Sequence, residues 1–516
     1  APPAPVDSGP YNIAGRVVNL ATGEPVRRAT VAALAEEDNH VVRTAQTDAE
    51  GRFLIAHLAA GKYPLTASRR GYRTAFYDEH DEYNSAIVTG NDQDTTHLEF
   101  RLMPGSVLRG VVTDDGGDPA ENASVLLFKR GAGSAHGGST TEIKQVDGAM
   151  TDDTGGYEFS NLAAGEYYVA VQTAPWYAMR PPSRPNGANE ESPLDVAYPV
   201  TFFDSTADEA SATPIMLEAG TRQEADISLH AVPALRLQVA TPLKGSGSTQ
   251  PELRTMVFGT QVSSEGAVGG DPRQTGMMEF TGVAPGHYEL VQGDPPRISE
   301  IDANSSQAVD ANAGSPAGTI MGVLRSAGAT IPDHVNVMLE PANGGNQQPM
   351  QMNAVKGRFL FDMVPPGTWA LSAFADGNAL PVVAVSVGGT AAAGNQITVK
   401  DRLVSVVGTI SPTLMRVQGF ARSGNKGVAG AMIVLVPRQR SAYRALVRRD
   451  QSDSDGSFNL RDVPAGQYTV VAIEDGWKLD WTDRETIGRY LPRGVSVTVS
   501  DQAGGVVRLA APLAVQ

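Results

Sequence analysis

The sequence predicts an all-β protein built as a tandem array of about five small β-sandwich domains. The strongest sign is a short motif that recurs five times. It reads Gly, an aromatic a few residues on, then Leu or Val, small or Pro residues, Gly, any residue, and a closing aromatic. The copies run Gly51 to Tyr63, Gly155 to Tyr167, Gly276 to Tyr288, Gly357 to Trp369 and Gly456 to Tyr468, with first Gly and last aromatic 12 positions apart in each. A fixed spacing inside a longer period marks repeated modules. The second sign is short apolar alternation broken by turn residues every ten positions or so, the rhythm of a sandwich. The third is composition: 55 Gly and 34 Pro in 516 residues suit a chain made of turns.

Each unit opens on a strand: Ile13–Val18, Leu108–Val112, Leu235–Val239, Ile320–Leu324 and Val417–Ala421. A second strand follows, as in Ala29–Val31, Ala123–Leu127 and Ala431–Leu435. The motif comes next. Three copies have an acidic lead-in, Thr47-Asp48, Thr151-Asp152-Asp153 and Asp453-Ser454-Asp455. Asp folds onto nearby backbone N–H groups, and Gly supplies the positive φ that closes the turn. Pro285-Gly286 and Pro366-Gly367 predict type II turns. The closing aromatic begins another alternating strand, as in Tyr63-Leu65-Ala67 and Tyr468-Val470-Ala472. The third unit is the most divergent, with neither a first-strand Gly nor an acidic lead-in. Helix signals are few, the clearest being Thr482 to Leu491.

Punctuation at Pro104-Gly105, Pro233, Ser315-Pro316 and Ser411-Pro412 places the joints. The expected organisation is an extended segment 1–10 and sandwiches 11–103, 104–232, 233–315, 316–412 and 413–516.

The run Gly15-Arg16-Val17-Val18, Gly23-Glu24-Pro25-Val26, Ala29-Thr30-Val31, Thr47-Asp48-Ala49-Glu50-Gly51-Arg52-Phe53 and Leu58-Ala59-Ala60-Gly61-Lys62-Tyr63 resembles the carboxypeptidase regulatory-like domain. The resemblance implies a transthyretin-like (prealbumin-like) Greek-key sandwich of seven strands, related to the B-type repeats of surface adhesins. The last unit, from Gly419 through Trp477, Trp481 and Tyr490-Leu491, is similar to the closing module of secreted multi-domain proteins of acidobacteria. B-type repeats form an internal isopeptide bond from a first-strand Lys. Arg16, Arg109, Arg236 and Arg325 stand near that place here, and Arg cannot form the bond.

The start Ala1-Pro2-Pro3-Ala4-Pro5 reads as what signal-peptidase cleavage leaves, so a secreted or cell-surface location is expected. The absence of Cys is compatible with export, since each unit is large enough to stand without disulfides. A net charge of −16 argues against nucleic acid and anionic membrane as partners. No apolar run approaches the roughly 18 residues of a membrane span.

No His lies in a zinc-peptidase context, no G-x-S-x-G elbow occurs and no thiol exists, so no enzyme is predicted. Calcium is the cofactor candidate, through Asp450, Asp453 and Asp455 before Gly456, or Asp78 and Asp81. The loop lacks the distal bidentate Glu, and turn formation explains the same slot elsewhere. Polymer-binding candidates are Trp176, Trp477 and Trp481. Two charged patches, Asp78, Glu79, Asp81 and Glu82 near the start and Arg438, Arg440, Arg444, Arg448 and Arg449 near the end, are the assembly candidates.

The functional expectation is a non-catalytic secreted or surface structural protein that assembles with copies of itself into a fibre, tube or layer, or acts as an adhesive stalk. Head-to-tail contact would join the acidic patch of one copy to the basic patch of the next, and Ala1 to Pro10 or Val506 to Ala510 would add a strand to a neighbour. An extracellular array that binds carbohydrate or another polymer, and accessory modules of an enzyme acting in trans, stay open beside it.

Overall fold

The computed structural model describes residues 9–90, 94–131, 143–179, 192–240, 251–263, 267–269, 277–292, 297–309, 315–326, 331–332, 334–342, 349–375, 378–392, 394–400, 403–411, 414–438, 446–481, 483–500 and 505–516. Nearly all regular structure is strand, and five apolar cores form along the chain. They run from Ile13 to Leu102, Leu108 to Leu229, Leu237 to Ala303, Ile320 to Ile410 and Met415 to Leu513.

One unit shows the pattern of all. In the first, strand Tyr11–Asn19 is central, antiparallel to the motif strand Arg52–Leu58 and parallel to the last strand Leu98–Leu102. The opposing sheet is ordered Val41–Gln46, Thr30–Leu34, Leu65–Ser68, Ala75–Phe76. Alternation does the sorting: Phe53, Ile55 and Leu58 point inward while Arg52 and Leu54 face solvent. In the fourth unit the two layers run into one sheet. There the strand Met350–Val355 turns directly into Arg358–Val364 through Lys356 and Gly357, at φ 50° and 74°. Two consecutive left-handed residues make the tight hairpin that an acidic lead-in makes elsewhere.

The constant spacing of 12 has a physical origin that differs from the expected turns. Each motif strand carries a bulge where it leaves the first strand: Tyr11 pairs with Leu58 but Ile13 with Ile55, and the other four units repeat this offset. The extra residue is left-handed in every copy: His57, Asn161, Gly282, Met363 and Asp462, with φ between 55° and 72°. The closing aromatic then folds back over the Gly two residues before it. Its polar atom donates to the carbonyl four residues upstream: Tyr63 to Ala59 (3.2 Å), Tyr167 to Ala163 (2.9 Å), Tyr288 to Ala284 (2.8 Å), Trp369 to Pro365 (3.0 Å) and Tyr468 to Pro464 (2.9 Å). This is the corner that sandwich folds use to pin one strand end to the preceding turn. The type II expectation at Pro285-Gly286 and Pro366-Gly367 is therefore corrected. Gly286 is not in a positive-φ conformation, Gly367 lies at 151°, and both begin strands. A Cβ at Gly466 would press on the Tyr468 ring at 3.1 Å, while at Gly61 and Gly286 it would make ordinary contact at 3.7 and 3.5 Å.

The first-strand Gly has a similar cause. Gly322 lies opposite Phe359, whose ring occupies the space a Cβ would need, 1.8 Å off. In the third unit the Gly and the aromatic are lost together, and Val239 pairs with Met278. Gly276, the first motif residue of that unit, lies outside the described residues.

The C-terminal segment is committed to its own unit. Val506–Arg508 and Leu513–Ala514 both pair in parallel with the strand Met415–Ser423, so Val506 to Ala510 is an internal strand rather than one donated to a neighbour. Of the other proposed donor, residues 1–8 lie outside the described residues. The short helix appears at Arg484–Gly488, where Asp483 accepts from the N–H groups of Glu485 and Thr486 at 3.1 and 2.9 Å.

Candidate functional site

The first and fifth units, at opposite ends of the sequence, are in contact. The first contributes its loop from Asp78 to Val88 and Lys62 at a strand start. The fifth contributes the strand Arg448–Gln451, the turn that follows it, and Trp477 and Trp481 from an insertion after the strand Gly466–Ile473.

The turn shows how one sequence slot acquires two uses. In the first two units the Asp three residues before the motif Gly closes its own turn. Asp48 Oδ1 accepts from the N–H groups of Glu50 and Arg52 at 3.0 and 2.8 Å, and Asp152 Oδ1 from Thr154 and Gly156 at 2.9 and 2.8 Å. In the fifth unit Asp455 caps Ser457 N at 2.9 Å instead, and Asp453 reaches across to the first unit. Its Oδ2 lies 2.6 Å from Lys62 Nζ, and its Oδ1 accepts from Ala86 N at 2.9 Å. Ser454 beside it exchanges backbone and side-chain bonds with Ala86 and Val88 at 3.0 and 2.8 Å. Burial pushes the Asp453 carboxyl up, with the Lys62 ammonium pulling the other way. Burial also works to lower Lys62, but Asp453 overrides it and holds the ammonium above its ordinary value. Removing either partner would strand a charge away from water, a loss of about 3–5 kcal/mol.

Around this pair the contact is dense in hydrogen bonds. Gln451 Nε2 donates to Asp78 O at 2.6 Å and Ser85 Oγ at 2.9 Å, while Ser85 Oγ donates to Ser452 O at 2.9 Å. Arg449, 5% exposed, pairs with Asp81 at 2.9 Å. Its guanidinium lies 4.9, 5.2 and 4.6 Å from the ring centres of Tyr83, Trp477 and Trp481. His80 stacks on Trp477 with centroids 4.9 Å apart and planes 11° off parallel. The aromatic faces and one carboxylate attract the desolvated guanidinium, although its Nε and Nη2 are buried without a hydrogen-bond partner.

These positions settle where the sequence candidates lie. Asp78, Asp81 and Arg449 meet inside one chain, which corrects the expectation that they sit at far ends and join successive copies. Glu79 accepts from its own loop, at Phe76 N 2.7 Å, and Glu82 is exposed. Arg448 donates to Asp462 O at 3.0 Å, and burial lowers its guanidinium pKa. Arg438 is exposed and bonds Gln467, while Arg440 and Arg444 lie outside the described residues. The calcium reading of the fifth-unit loop is corrected too. Asp450 accepts from Asn459 N, Asp453 holds an ammonium, and Asp455 caps Ser457, so each carboxylate is engaged by a protein donor. Among the described residues no three acidic or His side chains gather to hold a metal ion. Trp481 is buried and Trp477 is sandwiched, its Nε1 donating to Gly430 O at 2.9 Å, so neither is an open platform. Trp176 is 79% exposed, edge-on to Tyr177.

Sequence reasoning missed Lys62, Ser85 and Gln451, which carry no motif. A doubled acid before Gly456 was no signal, since the second unit has one too at Asp152-Asp153.

Comparison with known proteins fits the fold. Residues 12–103 and 107–230 each match the model of the carboxypeptidase regulatory-like domain. Two carboxypeptidase regulatory-like matches thus lie in tandem within residues 12–230. No curated protein matches the sequence. Among solved structures, a streptococcal ancillary pilin aligns at 12% identity over 54% of this chain and 98% of its own, with TM-score 0.20. The Bacillus anthracis TIE protein aligns at 9% over 94% of this chain and 68% of its own, with TM-score 0.16. The shaft pilin SpaA from Lactobacillus rhamnosus GG aligns at 10% over 43% and 97%, with TM-score 0.20. At these scores the likeness says nothing about arrangement or function. Among the described residues no helix is long and apolar enough to cross a membrane.

Proposed function

We propose that this chain is an exported, non-catalytic structural protein whose five regulatory-like domains, latched first to fifth, form a building block that self-associates into a fibre, tube or layer. The domains are taken as separate sandwiches with joints near residues 104, 233, 316 and 413.

The observation that carries the reading is an exposed apolar strip on one sheet face of the fourth unit, bordered by Arg358 and Asp362. Met321, Val323, Leu360 and Leu403 are 51%, 38%, 48% and 58% exposed. They stand on neighbouring strands, with Met321 opposite Leu360 and Thr319 opposite Leu403. The positions matching Met321, Leu360 and its other neighbour Ser405 are Arg109, Glu158 and Glu224 in the second unit, and Gln418, Asn459 and Arg508 in the fifth. The first unit shares the apolar pair at Ala14 and Leu54, and the matches of Val323 in the second and fifth units, Val111 and Phe420, are also exposed. In the fourth unit the apolar positions run together into one strip, the kind of surface that contact between copies would cover. With Asp78, Asp81 and Arg449 engaged within the chain, this face replaces the charged patches as the assembly surface.

Sedimentation velocity and negative-stain images over a concentration series test it. The parent chain is expected to form larger species, and Met321→Lys with Leu360→Lys to stay monomeric while remaining folded. A parent that is monomeric at every concentration overturns the proposal, as does a double variant that assembles as the parent does.

A further inference from the structure

The other face of the fourth unit points to a ligand. Strands His334–Pro341, Met350–Val355 and Gly367–Ala375 lie side by side and send alternate residues outward. These outward side chains line a cavity of about 430 Å³ walled by His334, Asn336, Met338, Gln351, Asn353 and Phe374. The register puts Asn336 directly between Asn353 and Phe374, and Met338 beside Gln351. Three carboxamides, an imidazole, a thioether and a phenyl ring thus share one concave surface with no carboxylate or ammonium among them.

The same surface is built differently in two sister units. In the second unit the outward residues of the matching strand, Leu126 and Phe128, are apolar and covered by Phe258 of the third unit. In the fifth, Met432, Val434 and Val436 lie beneath Trp481 and Ile487. In the fourth the face is amide-rich and open: His334, Gln351 and Asn353 are exposed. Within its wall Asn336 Oδ1 is buried with no hydrogen-bond partner. A buried acceptor left unpaired is costly.

We propose that this face is a binding site for a neutral saccharide. Each carboxamide offers two donors and an acceptor, matching hydroxyls that both give and take hydrogen bonds. Phe374 and Met338 supply the apolar surface on which a sugar ring's C–H face rests. The uncharged lining disfavours phosphate and uronate ligands, which need cationic partners. A volume of this size holds one or two sugar rings. The inference does not depend on the assembly face, which lies on other strands of the unit.

Affinity gel electrophoresis of the full chain through an α-glucan, a β-glucan, a mannan and a xylan tests it, with Gln351→Ala plus Asn353→Ala as the variant. Both positions are exposed, and thermal scans of parent and variant check that the fold is kept. Retardation by at least one neutral polymer is expected, with affinity reduced tenfold or more in the double variant. Trp176→Ala runs beside it and is expected to bind as the parent does. No retardation by any of the four polymers overturns the proposal. So does retardation that survives the double variant, or that is lost only with Trp176→Ala.

Discussion

Lys62 Nζ lies 2.6 Å from Asp453 Oδ2, joining two residues 391 positions apart. Neither side chain is replaceable by its neighbours, because Asp453 also accepts from Ala86 N and the pair is largely withdrawn from water. The contact therefore behaves as a latch that holds the chain's two end domains together.

Asp453→Ala is expected to open that latch without unfolding either domain. The turn at Gly456 keeps its backbone bonds, Gly456 N to Asp453 O at 2.8 Å and Asp453 N to Ser457 O at 2.7 Å. Small-angle scattering should show a larger radius of gyration for the variant, with an unchanged circular dichroism spectrum. Identical scattering curves would remove the latch from the account.

Tyr468→Phe tests the aromatic corner. It deletes the hydroxyl that donates to Pro464 O and leaves a buried carbonyl unpaired, at about 1–3 kcal/mol. Tyr468→Ala adds a cavity and raises the loss to roughly 3–5 kcal/mol. Calorimetry should show one of several transitions moving down while the rest hold. A single transition shifting as a whole would mean the units do not melt separately.

Met363 gives a prediction of opposite sign. It sits at the bulge of the fourth unit with φ 57°, a conformation that costs a residue with a Cβ roughly 1–2 kcal/mol. Met363→Gly relieves that strain and regains about 0.5–1 kcal/mol after the extra freedom of Gly in the unfolded chain is subtracted. A lower denaturation midpoint for the variant would contradict this.

Asp450 makes the fifth unit sensitive to pH. Burial pushes its carboxyl from 3.8 up to about 7, against the Asn459 N–H that donates to it and with Asp453 and Lys62 nearby. The folded chain thus keeps a proton that the unfolded chain releases. This contribution to stability is full below about pH 3.8 and is lost as pH rises through about 7. Asp450→Asn keeps an acceptor for Asn459 and removes the titration, so the variant should exceed the parent by about 1–3 kcal/mol at pH 8. Urea midpoints at pH 5 and pH 8 measure the difference, and equal gaps between the two proteins at both values would refute it.

The fold was legible because its signals are local. Asp48 with Gly51, or Val364 with Trp369, lie within a few residues and act through turn geometry that composition reports directly. The bulge was hidden because His57, Asn161, Met363 and Asp462 share no chemistry, only a backbone conformation imposed by pairing to the first strand. The latch was hidden for a different reason. Asp453 occupies the slot of Asp48 and Asp152, and nothing within ten residues tells a carboxylate that closes its own turn from one that crosses to another domain. Arg449 read as part of a charged assembly patch because the rings that desolvate it, Tyr83, Trp477 and Trp481, come from a distant loop and a later insertion.

The span of 391 residues between Lys62 and Asp453 also fixes an order of events during synthesis. The first domain can fold as soon as its own strands emerge, yet the strip from Asp78 to Val88 meets its counterpart only after four more domains have been made. Closing so long a loop adds only about 0.6 kcal/mol for each doubling of length, so the delay is one of timing more than of free energy. Through that interval nascent chains side by side present unmatched ends to each other. Polysome crowding is thus the condition under which one chain's fifth domain would seize another chain's first.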